Sequence, residues 1–436
     1  MKLTINTDRL QRELHELALF TDCPVATDAR LLAPVQAVTR IVFTPRDLEV
    51  RAWLKKLAAD AGFVVREDAV GNTFLRWEGS EPDLPAAGTG SHTDAIPHAG
   101  MYDGTVGVIG GLEAMRALKE AGFRPRRSIE TLMFTSEEPT RFGIGCLGSR
   151  LLGGVLAPEM ADALLDRLPE TEPTARQGLT LREVRTKAGF HGDLADVKLP
   201  PNYYSAWVEL HIEQGPLLER DNFQLGLVTG IAAPASYRYT IEGFGGHAGA
   251  LLMPDRRDAL CAAAEMILSV ERHALKANAA AGGVDTVATV GTVAAHPGAV
   301  NSVPSRVTLM LDIRDTDVAR RNRVMGAIRA DIAAIEKVRG VKISEDTVNA
   351  DEPAVSSPHI LAVLEAVCKA EGMSYMKMVS RAYHDSSFIA CVAPIAMIFI
   401  PSRAGVSHRP DEYSAPEAIA LGVRVLAVML AKLAAE

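Results

Sequence analysis

The sequence predicts an α/β protein: a mixed-sheet catalytic domain sandwiched by helices and interrupted by a smaller inserted α+β domain. Three observations predict it. Strand-like and helix-like segments alternate through roughly the first half of the chain. Between about residues 222 and 350 the order becomes β-α-β-β-α-β, and after Ala354 the alternation resumes. The chain, at 436 residues, is also too long for one compact core. The expected division is 1–221 plus 351–436 for a catalytic domain and 222–350 for an inserted dimerisation or lid domain.

Taken in order, Leu10, Leu14 and Leu17 recur at helical spacing behind Thr7 as the expected cap. Thr44-Pro45 opens a helix with Leu48, Trp53, Leu54 and Leu57 on one face and Gly62 just past its end. A strand over 63–66 runs into the turn Asp-Ala-Val-Gly-Asn at 68–72. An apolar approach into 88–94 reads as a strand that ends at its polar residues, 104–118 as a buried helix and 128–136 as a strand ending in Glu137-Glu138. Residues 158–203 carry charges, prolines and short amphipathic pieces, as a covering segment does. A strand over 206–210 ends in His211-Ile212-Glu213-Gln214-Gly215. In the insertion, strands are expected at 225–230, 237–242, 285–293, 306–313 and 341–348, with helices at 256–274 and 317–338. That arrangement leaves an open sheet edge able to pair with a second copy.

Composition removes several classes. Hydrophobic residues at 48% and charged residues at 23% exclude a disordered, collagen-like or coiled-coil chain, and 5% aromatics imply an aliphatic core. The balance of 46 basic against 54 acidic residues gives −8, with no basic cluster, so nucleic acid is not an expected partner. Five cysteines, Cys23, Cys146, Cys261, Cys368 and Cys391, are far apart without a C-x-x-C, and read as buried thiols in a reducing compartment. The first twenty residues make a poor signal peptide. The longest apolar runs, such as 393–401, reach about half of the ~20 residues that span a bilayer. The expectation is a cytoplasmic protein with no membrane partner.

Five candidate metal ligands fall at strand or turn ends: His92, Asp103, Glu138, His211 and His384. Each alone has an ordinary explanation, since a lone histidine is more often structural and an Asp-Gly is usually a turn. Together they place acids and imidazoles beside apolar strands, where buried charge needs compensation. Imidazoles mixed with carboxylates suit Zn²⁺ or Mn²⁺ and are too nitrogen-rich for Ca²⁺.

The segments GSHTDAIPHAGMYDGTVGV (90–108), SEEPTRFG (136–143), ELHIEQGPLLE (209–219), GGHAGALLMP (245–254), HPGAVNSVP (296–304), LDIRD (311–315) and SHRPDEYS (407–414) resemble the dinuclear metallo-aminoacylase/aminopeptidase superfamily. The resemblance covers nearly the whole chain and is to the hydantoinase/carbamoylase-type amidase branch. It implies two divalent metal ions per subunit, with His92 and His211 one on each, Asp103 bridging, and Glu138 and His384 completing one site each. Metals so held share a hydroxide and polarise a scissile carbonyl. Glu137 is then the general base and Asp94 the acceptor that orients His92. Adjacent Glu137 and Glu138 can split into base and ligand because neighbouring side chains leave a strand end in different directions.

The resemblance further implies that His247 and Asn301, in the insertion, reach an active site in the partner subunit of a homodimer. Either could hold a developing oxyanion. Gln214 resembles a ureido-contacting glutamine, and Arg314 would fork a substrate carboxylate. Ordinary roles stand beside these: stabilised Gly-rich turns for His247 and Asn301, and an ion pair with Asp312 or Asp315 for Arg314. The segment SRAYHDSSF (380–388) carries Arg381, Tyr383 and Ser386 where relatives acting on allantoate or N-carbamoyl amino acids have small residues. Tyr383 beside His384 implies a smaller, more polar pocket, and this version looks like the ureidoglycolate amidohydrolases of purine breakdown, usually Mn²⁺ enzymes. A small anionic ureido acid is the expected substrate. The alternatives are an allantoate or N-carbamoyl-L-amino acid hydrolase, an aminoacylase or peptidase, and a non-catalytic scaffold.

Overall fold

The computed structural model describes residues 3–23, 25–26, 35–168 and 178–436. The chain forms two compact units. The first comprises Met1–Thr229, Val355–Met378 and His384–Glu436, and the second Gly230–Ala354 with Val379–Tyr383. The return of residues 379–383 to the second unit has no counterpart in the sequence expectation.

In chain order the principal strands are β1 (Val64–Glu67), β2 (Thr73–Trp77), β3 (Ala86–His92), β4 (Ile129–Phe134), β5 (Tyr204–Ile212) and β6 (Leu225–Ile231). Then follow β7 (Ala233–Glu242), β8 (Val287–His296), β9 (Arg306–Asp315), β10 (Lys342–Ala350), β11 (Tyr375–Ser380) and β12 (Ile395–Ile400). The principal helices are α1 (Thr7–Ala18), α2 (Pro45–Asp60), α3 (Thr105–Glu120), α4 (Ala259–Ala281), α5 (Val318–Arg339), α6 (Pro358–Ala370) and α7 (Pro416–Ala435).

The sheet of the first unit is mixed. Its centre is four parallel strands in the order β4-β3-β5-β12, flanked by antiparallel β1 and β2 on one side and β6 on the other. Strands β4 and β12 are buried along their whole length, as strands covered on both faces must be. Helices α1, α3, α6 and α7 pack with the sheet in one aliphatic core that includes Leu10, Leu14, Leu112, Leu210, Ile398 and Leu426. Four parallel strands put four carboxyl ends side by side, and the crevice there is where such sheets bind ligands.

Three local expectations are corrected. The cap of α1 is Asn6, whose side chain accepts from Arg9 N–H, and Thr7 is the first helical residue. Thr44 does cap α2, but the buried face is Asp47, Val50, Arg51, Leu54 and Ala58. The buried Arg51–Asp47 pair joins Leu54 on that face, while Leu48, Trp53 and Leu57 flank it half-buried. Among the cysteines, Cys146 and Cys368 are buried, while Cys261 and Cys391 are exposed. The 20-residue α7 is also longer than the apolar runs noted in the sequence. It is apolar enough to cross a bilayer, but most of it is buried inside the protein.

The second unit has the β-α-β-β-α-β order, with an antiparallel sheet β8-β9-β7-β10. Burial alternates strictly along β9, so Val307, Leu309, Leu311 and Ile313 face a core shared with α4 and α5. Edge strand β8 is mostly exposed.

Of the covering segment at 158–203, short helices at Pro158–Asp162 and Leu181–Lys187 and a 3₁₀ turn at Leu194–Val197 are described; 169–177 lie outside the described residues.

Candidate metal centre

Every parallel strand delivers candidate side chains at its carboxyl end. His92 closes β3, Glu137 and Glu138 follow β4, His211 lies near the end of β5, and Ser402, Ser407, His408 and Glu412 follow β12. Asp103 comes from the turn that opens α3. There Gly104 has φ +68, and a Cβ on it would fall 2.5 Å from the His92 ring, so only glycine lets that backbone lie against the imidazole.

Asp103 is the hub. Its Oδ1 lies 3.2 Å from His211 Nε2 and 3.9 Å from His92 Nε2, and its Oδ2 lies 3.1 Å from His408 Nε2. Glu138 Oε1 is 3.3 Å from the same His408 nitrogen. Side-chain donors therefore gather in three overlapping groups: His92, Asp103 and His211; Asp103, Glu138 and His408; Glu209, His211 and His384. All five sequence-expected ligands fall in these groups.

The imidazoles are oriented from behind. His92 Nδ1 donates to the Asp94 carbonyl at 3.0 Å and His211 Nδ1 to the Ile212 carbonyl at 2.9 Å, which turns each Nε2 toward Asp103. Asp94 therefore holds His92 through its backbone. Its carboxylate does something else: Oδ1 and Oδ2 accept from the N–H groups of Glu137 and Glu138 at 3.2 and 3.0 Å. That clamp fixes the Glu-Glu pair just after Ser136, a non-glycine residue at φ 57. Left-handed backbone at such a residue costs about 1–2 kcal/mol.

The site is rich in buried acid. Burial pushes the carboxyls of Glu137, Glu138 and Asp94 up, with neighbouring acids adding to the rise; Asp94 reaches about 6. Burial would raise Asp103 as well, but the hydrogen bonds and charges of His211 and His408 hold it well below the usual carboxylate range. The same contacts bring His408 up to about 11, and they overcome burial to bring His211 to about 9. Positive charge is thus demanded at the Nε2 positions around Asp103. Imidazole and carboxylate donors in that setting fit a pair of divalent cations of the Zn²⁺ or Mn²⁺ kind.

Glu137 Oε2 stands 3.8 Å from His92 Nε2, and Cys146 Sγ donates to Oε1 at 3.4 Å. Gln214, at φ 55, donates its amide to both Asp103 oxygens at 3.0 and 2.9 Å, while its Oε1 is buried without a hydrogen-bond partner.

The second unit carries the remaining candidates. His247 lies in a two-residue strand, Gly246–His247, paired with Ser302–Val303, and the Asn301 carbonyl accepts from Ala248 N–H. This places His247 and Asn301 in adjacent turns, both exposed. His247 Nδ1 accepts from Gly249 N–H at 3.1 Å, so Nε2 is the nitrogen it presents. Arg314 Nε pairs with Asp312 Oδ1 at 2.8 Å, and its Nη1 donates to the Arg381 carbonyl. The ordinary role foreseen for Arg314 is therefore realised. Tyr383 is half-buried in the same unit, directly before His384.

Sequence reasoning missed His408, Glu412 and Glu209. Glu412 Oε1 accepts from Tyr102 and Asp103 N–H at 2.9 and 3.0 Å and so sets the Asp103 turn. Glu209 accepts from Ser91 and Ser386 hydroxyls behind His211. His408 and Glu412 sit in SHRPDEYS, a segment that carried the family resemblance. Nothing within it, however, shows that β12 ends beside β5.

A model of peptidase family M20/M25/M40 matches residues 88–432, and the chain belongs to that family. It is 48% identical over 433 residues to a ureidoglycolate hydrolase of Oryza sativa subsp. japonica, covering 98% of this chain and 85% of the relative. An N-carbamoyl-L-amino acid amidohydrolase of Geobacillus stearothermophilus is 36% identical, covering 90% of this chain and 92% of the relative. Among solved structures, AtUAH in complex with glyoxylate superposes with a TM-score of 0.84 at 47% identity, covering 99% of this chain and 98% of that one.

Proposed function

We propose that this chain hydrolyses a small ureido acid, ureidoglycolate, to glyoxylate, ammonia and carbon dioxide. The observation that carries the reading is Glu137, half-buried with its carboxyl 3.8 Å from His92 Nε2 at the carboxyl ends of the parallel strands, in a chain similar to a ureidoglycolate hydrolase over nearly its whole length. One water is consumed per substrate. Its oxygen bonds to the ureido carbon as the bond from that carbon to one nitrogen breaks; the carbamate so formed then loses carbon dioxide, and the two steps together release one ammonia and hydroxyglycine. The hydroxyglycine left behind expels a second ammonia to give glyoxylate. The AtUAH structures hold (S)-hydroxyglycine in one case and glyoxylate in another, which fits that order of events.

Glu137 takes the water's proton and returns it to the leaving nitrogen. Asp94 keeps Glu137 and Glu138 in place through their N–H groups. His92, Asp103, Glu138, His211 and His384 would hold two divalent cations, with Mn²⁺ favoured and Zn²⁺ accepted by the same donors. When bound, these supply Lewis-acid polarisation of the ureido carbonyl and a more acidic water. Gln214 meets the ureido group, Tyr383 limits the substrate's size, and Arg314 leaves Asp312 for the substrate carboxylate.

The second unit serves as dimerisation and lid domain of a homodimer. Leu260, Leu268 and Leu275 are exposed along one side of α4, and β8 leaves a sheet edge unpaired among the described residues, which together make a surface for a second copy. His247 Nε2 and Asn301 then act in the partner's site, at the developing oxyanion. Exposed, unpaired Cys261 and Cys391 favour a reducing, cytoplasmic setting.

The test is ammonia release by Mn²⁺-loaded protein from ureidoglycolate, with allantoate and an N-carbamoyl-L-amino acid in parallel. Preference for ureidoglycolate is expected. Preference for a larger substrate retains the hydrolytic site and discards the size argument, and silence on all three overturns the reading.

A further inference from the structure

The segment 380–386 crosses from one unit to the other. Val379–Tyr383 belong to the second unit and the chain from His384 onward to the first, so the division falls between the proposed size filter and a proposed metal ligand. Each side of that junction is tied down by its own side chain.

On the upstream side, Arg381 reaches the turn before β8. Its Nη2 lies 2.6 Å from Asp285 Oδ1, and its Nε donates to the Val284 carbonyl at 3.1 Å. With side chains 26% and 33% exposed, this pair is partly shielded from solvent, and the added carbonyl bond fixes the plane of the guanidinium. The Arg381 carbonyl accepts in turn from Arg314 Nη1, and the Ser380 carbonyl from Ala232 N–H at 2.8 Å. All of these partners lie in the second unit.

Downstream, the Ser386 hydroxyl donates to Glu209 Oε2 at 2.5 Å and accepts from Trp207 Nε1 at 2.9 Å. Asp385 Oδ1 accepts from the Ser149 hydroxyl at 2.5 Å. These partners are buried in the first unit, and Glu209 shares a donor group with His211 and His384.

We propose that Arg381 is a positioning residue for substrate selection: by pinning to Asp285 and Val284 it fixes Tyr383 to the second unit, while Ser386 fixes His384 to the first. Only Ala382 separates Arg381 from Tyr383, so the anchor leaves the tyrosine little freedom within its own unit. Tyr383 is thus held within the second unit, and His384 within the first. The inference rests on the proposed role of Tyr383 in meeting the ureido acid.

A double-mutant cycle tests it. Arg381→Leu and Asp285→Asn should each raise KM for ureidoglycolate about tenfold, change kcat less than about threefold, and leave metal content intact. In a Tyr383→Ala background Arg381→Leu should add nothing, because the residue it positions is gone. Ser386→Ala should instead lower metal content. Additive effects of Arg381→Leu and Tyr383→Ala, or metal loss in Arg381→Leu, would overturn the proposal. Wild-type inactivity on ureidoglycolate would strike the substrate reading alone, and backbone amide exchange then decides the anchor. Arg381→Leu should speed exchange at residues 380–383 at least about tenfold while 386–390 stay protected; unchanged exchange at 380–383 would overturn it.

Discussion

The candidate residues of the two units are built in opposite ways. In the first unit His92, Asp103, Glu138, His211 and His384 are all buried, held by backbone carbonyls, strand-end clamps and a glycine cradle. In the second, His247 and Asn301 stand exposed on short turns, and Arg314 is occupied by Asp312. On the proposed reading, the contrast teaches that chemistry and most of recognition are separated in the chain, with Gln214 the exception in the first unit. The proposed cation-holding groups are preorganised by burial, whereas His247 and Asn301, proposed to meet the substrate, stand exposed.

The largest expected effect lies in the buried region. Glu137→Gln should cut kcat by about 10³-fold with metal content unchanged, because the base is lost and the ligands stay. Loss of metal together with activity would place Glu137 among the ligands instead.

The next prediction joins the regions. Glu137→Ala and His247→Ala chains, each inactive alone, should regain one competent site per mixed dimer if His247 acts in the partner's site. Subunit exchange without recovered activity would confine His247 to its own subunit.

A smaller effect is expected from the cradle. Gly104→Ala forces a methyl against the His92 ring, and metal affinity should fall by about 10–100-fold, read by calorimetry. Unchanged affinity would show that the turn can yield.

The smallest concerns the second unit's helices. Asp331 accepts from Ser269 Oγ and pairs with His273 and Arg272, and these contacts depress its pKa to about 2. A depressed carboxylate stabilises the fold above its unfolded pKa near 4, and that contribution is lost as pH falls from about 4 to 2. At this half-exposed position it is worth about 1 kcal/mol or less. Asp331→Asn should flatten the stability profile in that window, measured by denaturant melts; an unchanged slope would contradict the assignment.

Much of the fold was legible because its signals are local. Thr44-Pro45 marks a helix start, 306–313 reads as a strand, and Gly62, at positive φ, follows the end of α2. The five ligand candidates were legible because acids and imidazoles beside apolar strands are costly without a purpose. His408 and Glu412 were not, since their meaning depends on strand order β5-β12, which no local pattern states. Asp94 was half legible: its carbonyl orients His92, while its carboxylate clamps a segment 43 residues away. The buried face of α2 was read only in part: Leu54 is buried and Trp53 and Leu57 pack against the core, but a paired arginine and aspartate also turn inward there.

The separation of chemistry from recognition is tested most directly by the selectivity of Tyr383→Ala. We compare kcat/KM for ureidoglycolate and allantoate in wild-type and variant protein at equal metal content. The account predicts that the ratio moves toward allantoate by at least about tenfold, while the metal stays bound. An unchanged ratio, or a variant that loses metal instead of selectivity, would contradict it.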